Sequence, residues 1–112
     1  MEPLTPAVFH ILLALADGEK HGYAIMQEVS VQSKDQVTMG PGTLYGTLRR
    51  MLESGLIEEC VGRRDSALND ERRSYYRLTR GGRKAASSEA SRLDELVRYA
   101  YDKAILKRPK PV

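Results

Sequence analysis

The stretch GPGTLYGTLRRMLESGLIEE, residues 40–59, decides the fold. Pro41 suits a first helical turn, where its missing N–H would have had no helical acceptor anyway. Leu44, Leu48, Met51 and Leu52 recur at i, i+4, i+7 and i+8 and predict one buried stripe. Thr43, Gly46, Arg49, Arg50 and Glu53 fall opposite, with Tyr45 at the border. Gly55 supplies the C-cap. LIEECV, residues 56–61, follows at once and reads as a strand rich in β-branched and apolar residues. A short helix that starts firmly, holds two arginines outward and runs straight into a strand is built to present its outer face.

Toward the N-terminus, LTPAVFHILLALADG (4–18) predicts a helix capped by Thr5, with Pro6 in its first turn and Gly18 as its stop. Phe9, Ile11, Leu12, Leu13 and Leu15 occupy most of its sides, so cover from a second subunit is expected. KHGYAIMQEVSVQSKD (20–35) predicts a second helix with Ile25, Met26 and Val29 inward. QVTMG (36–40) is a short extended connector.

Toward the C-terminus, GRRDSALNDER (62–72) is a polar loop and RSYYRLT (73–79) a second strand. Period-two alternation puts Tyr76 and Leu78 on its inner face, Tyr75 and Arg77 on the other. The two strands make a hairpin. Thr79 caps a last helix expected from Arg80 to about Ile105, with Gly81-Gly82 loosening its first turn. Ala86, Ala90, Leu93, Val97, Ala100 and Ala104 follow at alternating steps of four and three, a seam that wants a partner helix. Leu96, Tyr101 and Ile105 widen it. The expected dimerisation residues are therefore Phe9, Leu12, Ala90, Leu93, Leu96, Val97, Ala100, Tyr101 and Ala104.

The whole chain is a mainly α protein with a small β-hairpin: a winged helix-turn-helix followed by a C-terminal dimerisation helix. Its expected parts are a DNA-binding unit at 1–79, a dimerisation helix at 80–106 and a basic frayed tail at 107–112. In such a fold the third helix enters the major groove and the hairpin loop is the wing. The Gly-Pro-Gly start turns backbone N–H groups and a positive helix end outward. Gly42, Thr43, Tyr45 and Gly46 lie at that end. Arg49 and Arg50 extend toward phosphates or a guanine edge, and Arg63, Arg64, Arg72 and Arg73 supply the wing. Ten basic and six acidic residues lie between Arg49 and Lys84, and nine of the ten are arginine, suited to planar contacts with phosphate.

Composition sets the outer limits. The chain has 112 residues, 41% of them hydrophobic and 29% charged, which places it among globular single domains. A net charge of +3 permits an anionic partner without requiring one. Cys60 is the single cysteine, so an intrachain disulfide and a cysteine-rich metal site are excluded. His10 and His21 have no ligand at metal-like spacing, and no metal or other cofactor is expected. No nucleophile triad, P-loop or dinucleotide fingerprint occurs, which argues against an enzyme. The apolar run from Ala7 to Ala16 is too short to span a bilayer. With no basic leader before it, the expected location is the cytoplasm, with no membrane partner.

LTPAVFHILLAL, KHGYAIMQEV, MGPGTLYGTLRRMLESGLIEE and DERRSYYRLTRGGRKA resemble successive segments of the PadR-type transcriptional regulators. The likeness runs from about Leu4 to Leu96, and the last single helix resembles the smaller subfamily. The resemblance implies a homodimeric winged-helix repressor on a near-palindromic double-stranded operator. It also implies relief by a small aromatic or apolar effector.

Plainer readings stand beside these. An arginine pair on a helix is often only a solvated face. Tyr45 can pack its ring while wetting its hydroxyl. Cys60 on a strand reads as an inert core thiol rather than a redox sensor. The alternative from another class is a dimeric winged-helix interaction module without specific DNA binding.

Overall fold

The structure, a computed structural model, describes residues 3–61 and 74–108. Helix α1, Pro6–Ala14, starts where expected: the Thr5 hydroxyl accepts from the Val8 N–H at 3.2 Å. Ile11, Leu12 and Leu15 are buried and Val8 packs partly against them, the i, i+3, i+4, i+7 stripe of one face. Helix α1 ends at Ala14, before the expected stop, and irregular turns carry the chain to Gly18.

Strand β1, Lys20–His21, has no counterpart among the sequence expectations. Two residues carry no periodicity, and β1 exists only by pairing with a distant segment. His21 then caps helix α2, Gly22–Gln32, with Nδ1 accepting from the Ala24 N–H. Helix α2 therefore starts two residues later than predicted. Ile25 and Val29 face the core, and Met26 packs partly against it. Beyond α2, Lys34 and Asp35 take left-handed backbone (φ 53° and 63°) and turn the chain toward α3.

Helix α3, Pro41–Glu53, buries Leu44, Leu48 and Met51 as predicted and packs on α1 and α2. Gly55, at φ +77°, ends it in the left-handed region that a side chain would disfavour. Strand β2, Ile57–Val61, follows, and strand β3, Ser74–Leu78, returns antiparallel to it. The sheet is three-stranded, not a lone hairpin, in the order β1-β3-β2. Lys20 faces Tyr76 and His21 faces Tyr75 across β1 and β3. Tyr76 is core, as the alternation predicted, while the Tyr75 ring meets the His21 ring edge-on at 5.5 Å.

Helix α4, Arg80–Asp102, is capped by Thr79, whose hydroxyl accepts from the Gly82 N–H at 2.9 Å. Gly82 has a purpose the sequence did not reveal. A Cβ there would lie 1.9 Å from the Leu56 carbonyl oxygen, so α4 docks backbone to backbone on the α3–β2 junction. The buried residues of α4 are Gly82, Ala85 and Glu89. The Arg92 guanidinium and the Leu4 N–H hold the Glu89 carboxyl below the usual carboxylate range. Arg92 bonds both of its oxygens, at 2.6 and 3.0 Å. After Glu89 no residue of α4 is buried.

Candidate nucleic-acid interface

Helices α1, α2 and α4 each have a side chain closing their first turn. Helix α3 has none, and no acid sits in its first turn. Gly40, Pro41, Gly42 and Thr43 are all exposed. The orphan N–H groups and positive end of α3 therefore face water. Those are the properties an anion would meet first.

Tyr45 stands on this same end and is half exposed, at 49%. Its ring rests on Gly22 at the start of α2: a Cβ there would lie 2.5 Å from the Tyr45 hydroxyl and 2.8 Å from Cζ. The two helices of the helix-turn-helix thus meet through a tyrosine laid on a glycine. Tyr45 packs its ring on Gly22 while about half of the residue stays exposed, as the packing reading of it expected.

Arg49 and Arg50 are exposed on the adjoining face. Among the described residues, neither has a carboxylate within 4.0 Å. Other arginines differ: Arg77 pairs with Glu58 at 2.8 Å, Arg98 with Asp94 at 3.0 Å and Arg108 with Asp102 at 2.6 Å. Arg77 belonged to the basic excess read from the sequence, but its register partner on β2 is Glu58, which cancels its charge. Arg83 is also committed, donating to the Ala16 carbonyl at 3.0 Å. The uncancelled charge on the outer surface of α3 is that of the adjacent pair.

The sequence missed Thr47. It lies on α3 between the apolar stripe and the arginines and is 3% exposed. Its hydroxyl donates to the Thr43 carbonyl at 2.8 Å and accepts from Arg50 Nη2 at 3.3 Å. The Arg50 guanidinium passes over Gly46, where a Cβ would lie 3.9 Å from Nη1. Arg63, Arg64, Arg72 and Arg73 lie outside the described residues.

The expected dimerisation residues divide. Leu12 is fully buried within its own chain and has no surface left to give. It faces inward because the core stripe of α1 runs through Val8, Ile11, Leu12 and Leu15. Leu13, outside the expected dimerisation set, is the large apolar side chain of α1 left exposed, at 46%. Ala104 also falls away: α4 ends at Asp102, and Ala104 has φ 61°. The Ile105 N–H reaches the Ala100 carbonyl at 2.9 Å, closing the helix end and breaking the seam. Phe9, Leu93, Ala100 and Tyr101 are half-buried, and Ala90, Leu96 and Val97 are exposed. Leu96 at 50%, Val97 at 41% and Tyr99 at 59% leave the outer half of α4 with uncovered apolar surface.

The Cys60 thiol is half-buried and donates to Glu19 Oε2 at 3.2 Å. Burial, with the Glu19 carboxylate beside it, pushes this thiol up to about 11. It is protonated at neutral pH and a poor nucleophile, as the inert reading required.

Residues 11–88 match the PadR-like family of transcriptional regulators. The chain belongs to that family. The match starts inside α1 and ends inside α4, so it takes in the end of α1, all of α2 and α3, and the sheet. Transcriptional regulator Rv3488 of Mycobacterium tuberculosis is 36% identical over 89 residues, which cover 80% of this chain and 77% of the relative. A PadR family transcription regulator from Clostridium difficile shares the fold at a TM-score of 0.72 and 22% identity, covering 91% of this chain and all of that one. Bacillus subtilis PadR, solved in complex with operator DNA, shares it at a TM-score of 0.61 and 20% identity. The superposition covers 98% of this PadR-like chain and 51% of the Bacillus subtilis protein, so this chain spans about half its length. Among the described residues, no helix is long and apolar enough to cross a membrane.

Proposed function

We propose that this PadR-like protein is a homodimeric, sequence-specific DNA-binding repressor that inserts α3 into the major groove of a near-palindromic operator. One observation carries the reading. The exposed end of α3 joins an uncapped positive helix terminus, the Tyr45 hydroxyl and two arginines that have no carboxylate among the described residues. Phosphates supply the missing anions, and a helix-turn-helix contacts bases from the first turns of its second helix. The likeness in fold to a Bacillus subtilis protein solved in complex with operator DNA supports DNA as the partner. Arg63, Arg64, Arg72 and Arg73 extend the contact from the wing.

The homodimer rests on the uncovered Leu96, Val97 and Tyr99 of α4, with Phe9 and Leu13 of α1 as added cover. A seam of that kind also offers apolar surface to a small aromatic effector. The protein acts in the cytoplasm, where its DNA is.

The test titrates the protein into a labelled fragment of its own upstream DNA, at several salt concentrations and against unrelated competitor. Binding should outlast the competitor by orders of magnitude. Its log–log salt slope should steepen by about 0.9 per phosphate neutralised. Binding that the competitor abolishes, to this fragment and to duplexes from a random pool, would sink the reading in favour of an interaction module. A Leu96→Glu, Val97→Glu chain should sediment as a monomer. Melting points raised by phenolic acids or planar cations would support the effector.

A further inference from the structure

We infer that Thr47 is a positioning residue for base reading: its buried hydroxyl holds the Arg50 guanidinium over Gly46, where Arg50 meets a guanine edge while Arg49 serves phosphate. The inference rests on the DNA-binding reading and goes beyond it by giving the two neighbouring arginines different tasks.

Thr43, Gly46 and Arg50 follow at i, i+3 and i+7 and share one face of α3, the face that runs back to its exposed first turn. Side chains on a helix lean toward its N-terminus. Arg50 does so, reaching back one turn to Thr47 Oγ1 at 3.3 Å. Gly46 lies beneath it, where even a Cβ would make only an ordinary contact of 3.9 Å with Nη1.

The Thr47 hydroxyl is itself fixed. It sits 3% exposed and spends its only proton on the Thr43 carbonyl at 2.8 Å. Its lone pairs then turn to Arg50. Valine would satisfy the packing at this position and would lack both bonds. A threonine that bonds back to the carbonyl four residues earlier slightly disfavours its own helix. The hydroxyl therefore has a use that packing does not explain.

That use is orientation. A guanidinium has five donors, and Thr47 takes one, leaving the planar fork available. Two-point contact with guanine O6 and N7 needs the fork in one plane and one direction. Holding it there in the free protein removes much of the rotamer freedom that binding would otherwise cost. Arg49, one residue earlier, has no hydrogen-bond or ion-pair partner among the described residues. It is free to follow a phosphate, which accepts from many directions.

The experiment selects duplexes from a random pool with the wild-type protein, then measures affinity, salt slope and base preference for four variants. Thr47→Val should melt within a few degrees of wild type. Its affinity for the selected duplex should drop roughly thirtyfold, the low end of what a good two-point base contact contributes, lost in both half-sites. Preference for guanine should disappear at one position per half-site, with the salt slope unchanged. Thr47→Ser restores the hydroxyl and should restore that preference. Arg50→Ala should lose the same preference, and adding Thr47→Val to it should change nothing further. Arg49→Ala should keep every base preference and lower the salt slope by about 1.8, about 0.9 for each of the two protomers. A Thr47→Val protein that keeps the wild-type preferences, while Arg50→Ala loses one, overturns the positioning role. Preferences unchanged in both variants overturn the assignment of Arg50. A wild-type protein that selects nothing from the pool overturns the DNA reading, and this inference with it.

Discussion

Helices α3 and α4 are both amphipathic, yet their apolar faces meet opposite fates. Leu44, Leu48 and Met51 of α3 are buried in the chain's own core. Leu96, Val97 and Tyr99 of α4 stay about half exposed among the described residues. Amphipathicity says that a helix has a face to bury. It does not say what the face is buried against. Helix α3 follows a tight connector and is held against α1 and α2. Helix α4 is 23 residues long, about 35 Å, and only its first turns have a body to lie on.

The docked end of α4 offers the largest expected effect. A Cβ at Gly82 would meet the Leu56 carbonyl oxygen at 1.9 Å, with backbone on both sides and no side chain free to yield. Gly82→Ala should cost about 3 kcal/mol, at the upper end of overpacking penalties. Its melting point should fall by more than about 10 °C. At Gly81 the nearest atom would lie 3.5 Å away, an ordinary contact. Gly81→Ala should be neutral or stabilise by up to about 0.5 kcal/mol, because alanine is the better helix former. Equal melting points for the two variants would show that α4 docks in some other way.

The two apolar faces can be set against each other directly. Leu48→Ala should destabilise by about 3 kcal/mol, as large-to-small core changes do. Leu96→Ala should change the unfolding free energy of the dilute monomer by less than about 0.5 kcal/mol. Urea titration at low protein concentration separates the two. A large loss in Leu96→Ala under those conditions would mean that the outer half of α4 packs within its own chain.

A subtler test concerns how the reading head is held. Gly22→Ala must displace the Tyr45 ring, whose hydroxyl and Cζ lie 2.5 and 2.8 Å from the new carbon. The ring can swing into water, so the melting point should move by only a few degrees. Tyr45 would leave its place beside the α3 terminus, and affinity for DNA should fall about tenfold, the worth of one good contact. Unchanged affinity would remove Tyr45 from the interface.

The smallest effect is electrostatic. Arg92 and the Leu4 N–H hold the Glu89 carboxyl below its ordinary range. A group whose folded pKa is depressed contributes stability above its unfolded pKa, about 4.3 for glutamate. That contribution is lost as the pH falls through the lower folded value. Glu89→Gln should therefore flatten part of the fall in melting point between neutral pH and roughly pH 3.5. Identical acid limbs in the two proteins would show that Glu89 does not link α4 to the start of α1.

Much of this fold is legible in the sequence alone. Thr5 and Thr79 cap their helices as read, Gly55 ends α3, Leu44, Leu48 and Met51 are core, and Tyr76 faces inward. Each of these is a local signal, a cap or a period, that needs only neighbours along the chain. The misses have the opposite character. Strand β1 is two residues that become a strand only opposite Tyr75 and Tyr76. Leu12 read as interface because α1 is apolar on most sides, and only packing shows which side faces the core.

The sequence by itself determined the order of the four helices and the β2–β3 hairpin, the stripe of α3 and the placing of two arginines on its outer surface. Periodicity and caps carry that information because they act within a turn or two of the chain. Only the tertiary structure decided which charges stay uncancelled, why Gly22 and Gly82 lack side chains, and that the Thr47 hydroxyl grips Arg50. Those facts depend on approaches between atoms to within about a hydrogen-bond length. A glycine or threonine in a string of letters does not say what it will touch.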